Sequence, residues 1–286
     1  MIDLHCHILP GIDDGAPDLS MSLEMAHALV EDGVSVVACT PHILAGLYHN
    51  TGPQICAAVE QLQAELDERG VLLKLVTGAD NHMVPDFVKA LDARRLLPLG
   101  NSRYVLVEPP HNTAPPRMEE FFFDLLARGY VPILTHPERL SWINSLYPTL
   151  QRLADTGVWM QVTAGSLTGS FGRNAQYWAE RMLEEGRVHI LATDAHDSKR
   201  RPPNLARGRD LAAARVGVIE AEHLVVTRPR GVLLNVAPIE IASPAGVPAG
   251  SSTSAREAVE NERTGMRGPD GRPHHPLGQR LRRLFK

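Results

Sequence analysis

Residues 1–16 read MIDLHCHILPGIDDGA, and the class of fold turns on them. The apolar run MIDL has the character of a short buried strand. His5 and His7 follow it, and the acidic pair Asp13 and Asp14 comes just after. A doubly wound nucleotide-binding sheet would place a glycine-rich fingerprint directly after its first strand. HCHILPGIDD stands there instead. Residues two apart on an extended strand share a face, so His5 and His7 point together at a spacing of roughly 7 Å, and Cys6 points the other way, toward a helix layer.

Working outward, the same strand character recurs in VSVVAC, LLKLVT, YVLVE, VPILT, WMQVT and VHILAT. Such near-continuous apolar runs suit parallel strands covered by helices. Between them, residues 23–30, 55–66, 121–126, 150–153 and 178–183 repeat apolar side chains at helical spacing. Each stretch is stopped by a glycine (Gly33, Gly70, Gly129, Gly157 or Gly186), the usual residue just past a helix C-terminus. The rhythm is βα repeated about seven times, which fits an open sheet or a closed barrel.

The polar residues decide between the two. MIDL leads to His5 and His7, VSVVACT to His42, LKLVTGA to Asp80, YVLV to Glu108, PILT to His136, and HILAT to Asp194 and His196. The loop after the first strand adds Asp14, and WMQVT alone ends without such a residue. In a parallel barrel all of these ends meet on one face, where active sites are built. The register therefore predicts an α/β, TIM-like barrel with a metal centre at that face. Five imidazoles and four carboxylates are too many for one ion. Three divalent cations would outweigh the four carboxylates, and the surplus charge would attract an anion such as a phosphate monoester. Mixed imidazole and carboxylate ligation favours Mn, Fe, Co or Zn over Mg or Ca. His82 and His111 lie close enough to strand ends to reach the mouth. His27, His49, His189 and His223 match no strand end, and His274 and His275 fall near the C-terminus.

The chain has 286 residues, 43% of them hydrophobic, and a formal net charge of −4. Residues 242–286 hold eight Lys/Arg against four Asp/Glu, a net of +4, so residues 1–241 carry −8. Pro, Gly or Ser fills 15 of those 45 positions, a composition that buries too little surface to offset its ordering entropy. A barrel domain over 1–241 and a disordered tail over 242–286 are expected. The tail ends in RLRRLFK, suited to an acidic partner or a membrane surface. The opening residues do not resemble a secretory signal, and no apolar run reaches bilayer-spanning length. Cys6, Cys39 and Cys56 form no CxxC pair and read as reduced thiols, in keeping with a cytoplasmic location. No nucleic-acid partner is expected.

In order, DLHCH, TPH, the acid after strand three, the Glu closing strand four, THPER and TDAHD resemble the motifs of the polymerase and histidinol phosphatase (PHP) superfamily. MIDLHCHILPGIDDG, SRYVLVE, HPER and DAHDSKRRPP resemble more closely its bacterial tyrosine-protein phosphatase branch, the manganese-dependent enzymes associated with capsule and exopolysaccharide synthesis. The resemblance spans residues 1–240 and implies a distorted (β/α)7 barrel holding three metals, Mn2+ by family habit. By it, His5, His7, Asp80 and Asp194 would hold the first ion. Asp80 would bridge to a second, shared with Glu108 and His136, and Asp14, His42 and His196 would hold the third. The bridging position is usually Glu, and Asp80 is shorter by one methylene. The family's two phosphate-binding arginines match Arg139 and Arg201. Arg200 is a rival to Arg201, and Glu138 is an alternative partner for Arg139.

The activity so implied is a metal-dependent phosphomonoesterase. By the resemblance, the metals would supply an activated hydroxide for in-line attack on phosphorus, Arg139 and Arg201 would steady the phosphoryl oxygens, and His42 or a bound water would supply a proton. The absence of a Cys-x5-Arg segment argues against the thiol-dependent type of tyrosine phosphatase. The implied partner is a tyrosine-phosphorylated protein, namely a bacterial tyrosine kinase. Three rivals stay open: a histidinol-phosphatase, an amidohydrolase, and a non-catalytic metal-binding docking protein. The amidohydrolases usually carry a carbamylated Lys where this chain has Glu108. The glycine-rich loop GSLTGSFG, residues 165–172, lacks the lysine and spacing of a phosphate loop and reads as a flexible connection.

Overall fold

Apolar, β-branched runs become parallel strands here because helices cover their outer side and other strands their inner side. The structure is a computed structural model that describes residues 1–246. The remainder of the expected tail, 247–286, lies outside the described residues, and with it RLRRLFK. The strands are β1 (Ile2–Cys6), β2 (Val36–Cys39), β3 (His42–Ile43), β4 (Lys74–Thr77), β5 (Asp80–His82), β6 (Tyr104–Glu108), β7 (Val131–Thr135), β8 (Trp159–Thr163) and β9 (Ile190–Ala192). All ladders are parallel and run in two groups, β1-β2-β4 and β3-β5-β6-β7-β8-β9. β3 continues β2 after the Thr40-Pro41 break, and β5 continues β4 after Gly78-Ala79. Counted as two interrupted strands, these give the expected seven.

The barrel closes between its last strand and its first. His7 N–H donates to Ala195 C=O at 2.9 Å, Asp194 N–H donates to His5 C=O at 2.8 Å, and Cys6 bridges Ala195. Outside the strands lie α1 (Leu19–Glu31), α2 (Gly52–Glu68), α3 (Phe87–Asp92), α4 (Met118–Ala127), α5 (Ile143–Asp155), α6 (Ala164–Leu167), α7 (Gly172–Glu184) and α8 (Leu205–Val216). The five stop glycines all adopt positive φ, from 66° at Gly186 to 106° at Gly157. α5 begins well before the stretch at 150–153, because its second turn tolerates Pro148. The glycine-rich loop is shorter than its composition implies: residues 165–167 lie in α6, and Gly172 opens α7.

Two apolar clusters follow from the alternation along each strand. Val37, Cys39, Val105, Val107, Leu134, Met160, Val162 and Leu191 face the helices. Leu4, Ala38, Leu106, Ile133, Trp159, Ile190 and Ala192 fill a smaller inner cluster. One step of two residues further along, the inner positions turn polar: Leu106 gives way to Glu108, Trp159 to Gln161, and Ala192 to Asp194. The barrel thus has an apolar floor and a polar mouth. Val232, Leu233 and Ile241 pack against the inner cluster. Arg228 is fully buried, paired to Glu220, and it donates to the carbonyls of Ala242 and Ser243, residues that composition assigns to the tail. Among the described residues, no helix is long and apolar enough to cross a membrane.

Candidate metal centre

β1 departs from strict alternation at the point where it matters. Its register against β2 shifts between Asp3 and Cys6, so one extra residue fits in. The bulge lets Leu4 join the inner cluster while His5 turns into the mouth beside it. His5 Nδ1 meets Gln161 Oε1 at 2.8 Å, which leaves Nε2 facing inward, 3.5 Å from Asp80 Oδ2 and 3.4 Å from Asp194 Oδ1. His7 Nδ1 meets Asp13 Oδ2 at 2.7 Å, and its Nε2 lies 3.2 Å from that of His5 and 3.3 Å from Asp194 Oδ1. Asp13 also accepts the backbone N–H of His42 and Gly15, so one carboxylate fixes the loop and the ring together.

The other predicted residues arrive from successive strand ends. His42 Nδ1 lies 3.5 Å from Asp80 Oδ2 and 3.1 Å from Glu108 Oε2. His136 Nε2 lies 3.9 Å from Asp80 Oδ2 and 3.6 Å from Glu108 Oε1. Asp14, at the rim, places Oδ1 3.5 Å from His42 Nε2 and 3.4 Å from His196 Nε2. His136 and Asp194 hold left-handed backbone, φ 35° and 50°, an uncommon state for such residues that turns each side chain inward. All nine predicted ligand residues therefore share one mouth. Their donor atoms group within 4.8 Å of one another as His5, His7 and Asp80, and again as His7, Asp14, His42 and His196. Glu108 gathers His42 and His82 on one side, and His111 and His136 on the other.

The electrostatics of this mouth call for positive charge. Neither Asp80 carboxylate oxygen has a hydrogen-bond partner though both are buried, and the nearest imidazole nitrogens, those of His5 and His42, stand 3.5 Å from Oδ2. A buried carboxylate in that condition is costly unless a cation meets it. Burial and the charge of Glu108 push Asp80 well above the usual carboxylate range. Burial opposes ionisation of Glu108 too, yet bonds from His111, His42 and His82 hold it well below that range. Burial also pulls His7 down, but Asp13 and Asp194 outweigh it and lift the ring to about 10. His5 is lowered to about 3, because burial outweighs the opposing charge of Asp194. Orphaned oxygens, inward-facing ring nitrogens and a mixed donor set fit divalent transition metals.

Arg139 and Arg201 both reach Asp194 Oδ2, Arg201 with Nη2 at 2.6 Å. Glu138 turns away from Arg139: it is buried and accepts Thr163 N–H at 3.0 Å and Ser166 O–H at 2.7 Å. Arg200 is exposed and lines a small adjoining cavity with Ser170, Phe171 and Asn204. The sequence reading did not single out Asp13 or Gln161, which orient His7 and His5. Asp13 was in view as half of an acidic pair, and Gln161 sits at the one strand end without a ligand-type residue. His82 and His111 do reach the mouth, both at Glu108.

A closed parallel barrel whose strand ends collect imidazoles and carboxylates in this way defines a TIM-like barrel with a candidate metal centre at its mouth. More narrowly, the chain belongs to the capsular polysaccharide synthesis family CpsB/CapC, whose model matches residues 1–234. It is 37% identical over 201 residues to the tyrosine-protein phosphatase YwqE of Bacillus subtilis, covering 70% of this chain and 79% of that protein. It is 25% identical over 240 residues to the tyrosine-protein phosphatase CpsB of Streptococcus pneumoniae, covering 82% and 99%. Among solved structures it superposes with a TM-score of 0.80 and 32% identity on one reported for YwqE and CpsB as metal-dependent tyrosine phosphatases, covering 86% of this chain and 99% of that one. A β-aspartyl dipeptidase from Fervidobacterium islandicum shares the fold alone, at a TM-score of 0.50 and 15% identity.

Proposed function

We propose that this chain is a metal-dependent protein-tyrosine phosphatase. The observation that carries the reading is a single mouth holding nine ligand-type side chains, several with unpartnered buried atoms, beside two guanidinium groups. His5, His7, Asp80 and Asp194 would hold one divalent ion. Asp80, Glu108 and His136 would hold a second, and Asp14, His42 and His196 a third, with Mn2+ the favoured metal. Bound there, the ions supply an acidified water near neutral pH and charge to offset the phosphoryl oxygens.

The chain's own groups do the rest. Arg139 and Arg201 present two planar forks on the same side of Asp194, a geometry that pairs two oxygens of one phosphoryl group. Arg201 rather than Arg200 takes this role, because its guanidinium already reaches the centre. His42 is partly exposed at the rim, and it or a bound water would supply the proton to a departing phenolate. Gln161 and Asp13 keep His5 and His7 in the tautomer that leaves Nε2 free. The substrate would be a phosphotyrosine protein, specifically a cytoplasmic-facing bacterial tyrosine kinase of exopolysaccharide or capsule assembly.

The test is a side-by-side assay with Mn2+ of a phosphotyrosine peptide, histidinol phosphate and a dihydroorotate-type cyclic amide. Metal-dependent preference for the peptide is expected, with His136→Ala lowering turnover at least ~100-fold. Preference for histidinol phosphate or for the amide would overturn the assignment.

A further inference from the structure

The loop 165–172 carries Phe171 to the edge of the centre. The Arg139 guanidinium carbon lies 4.3 Å from the centroid of the Phe171 ring, and that of Arg201 lies 5.7 Å from the same centroid. Both distances fall within the range in which a ring face attracts a cation. The two arginines come from different elements, a turn after β7 and the loop after β9, and meet at Asp194 and this ring. We propose that Phe171 is a positioning residue whose ring face seats Arg139 and Arg201 side by side for delivery to one phosphate group. This rests on the reading of both arginines as phosphate-binding groups.

Three physical points support it. Two guanidinium ions side by side repel each other, and the electron-rich face of an aromatic ring offsets charge from both. Asp194 is also a ligand-type residue in the mouth, so any charge it lends a metal weakens its hold on the arginines. The ring does not compete for metal. Finally, the backbone comes close to the ring: a Cβ on Gly165 would stand 2.8 Å from Cε2 of Phe171, so a larger residue there would push the ring from its seat. Gly169 and Gly172, at φ 82° and 85°, make the turns that bring residue 171 over the arginines.

The experiment uses the full chain loaded with Mn2+ and measures inorganic phosphate binding by calorimetry, with metal content determined in parallel. Phe171→Leu removes the ring face and keeps apolar bulk, Phe171→Met is a second ring-free variant, and Phe171→Tyr retains the face. The ring-free variants should bind phosphate about tenfold more weakly at unchanged metal content, and Phe171→Tyr should stay within about twofold of wild type. A merely structural role would not spare metal content while separating Leu from Tyr. Arg139→Ala distinguishes a failure of the ring from a failure of the arginines. If it weakens phosphate binding and the folded ring-free variants do not, the role of Phe171 is overturned alone. If Arg139→Ala leaves phosphate binding unchanged, the arginine reading fails and this inference falls with it.

Discussion

His5 and His7 each commit one ring nitrogen to an anchor and leave the other for the centre. Anchors of this kind fix the tautomer and the ring plane, and their loss typically weakens metal binding about 10–100-fold. Asp13→Asn keeps the shape but can no longer hold the charge facing His7. Metal titration of that variant should show weakening in this range, with a folded spectrum unchanged; unaltered affinity would remove Asp13 from the centre. A second prediction concerns a histidine outside the mouth. His189 stacks on Trp159 and accepts Met160 N–H at 3.1 Å, and burial, helped by the Arg228 charge, lowers it from 6.5 to about 3. Unfolding lets the ring take up a proton below pH 6.5, so stability is intact above that pH and is lost as pH falls toward 3. The loss should reach about 2 kcal/mol at about pH 5, and His189→Gln should abolish most of it in urea titrations. At this scale the nine ligand-type residues were legible because their positions relative to strand ends repeat. Asp13 and Gln161 were not, since each acts through the far side of another residue's ring, which only three-dimensional packing reveals.

Among the elements, β1 and the loop after it do most to shape the mouth. The bulge between Asp3 and Cys6 breaks the two-residue alternation, so Leu4 serves the floor and His5 the mouth. No residue in MIDLHCH signals that bulge, and a strict period misassigns Leu4. The loop then folds back so tightly that Ala16 N–H donates to the His7 carbonyl at 3.1 Å. A Cβ on Gly15 would lie 2.1 Å from that same oxygen and 2.5 Å from His7 Cβ. Gly15→Ala must therefore displace either His7 or the Asp13–Asp14 segment. We expect a loss of about 1–3 kcal/mol in chelator-treated protein, measured by urea denaturation, together with reduced metal content. Wild-type stability and full metal content would contradict the packing described. Helix stops were readable because a left-handed residue after a helix favours glycine, and all five do adopt positive φ. The stretch 165–172 was not, because glycine content announces conformational freedom and not what that freedom is used to seat.

For the whole molecule, the barrel resolves into a floor of side chains such as Leu106, Ile133 and Ala192 and a mouth of Glu108, His136 and Asp194 one step above them. That layering explains why so much chemistry was visible in a linear sequence: a closed parallel barrel brings every strand end to one rim, so register along the chain becomes proximity in space. Which side chains would share an ion was less visible, because His7 and His42 each approach two groups and Glu108 approaches four imidazoles. The proposed chemistry requires those side chains to form a cation-binding cluster. Anomalous X-ray diffraction from crystals of the Mn2+-loaded chain, collected on both sides of the manganese edge, tests this most directly. Manganese peaks should appear in the mouth, at roughly 2.0–2.3 Å from donor atoms of His5, Asp80, Glu108 and Asp194. A difference map without manganese among these residues, from crystals soaked at saturating metal, would contradict it.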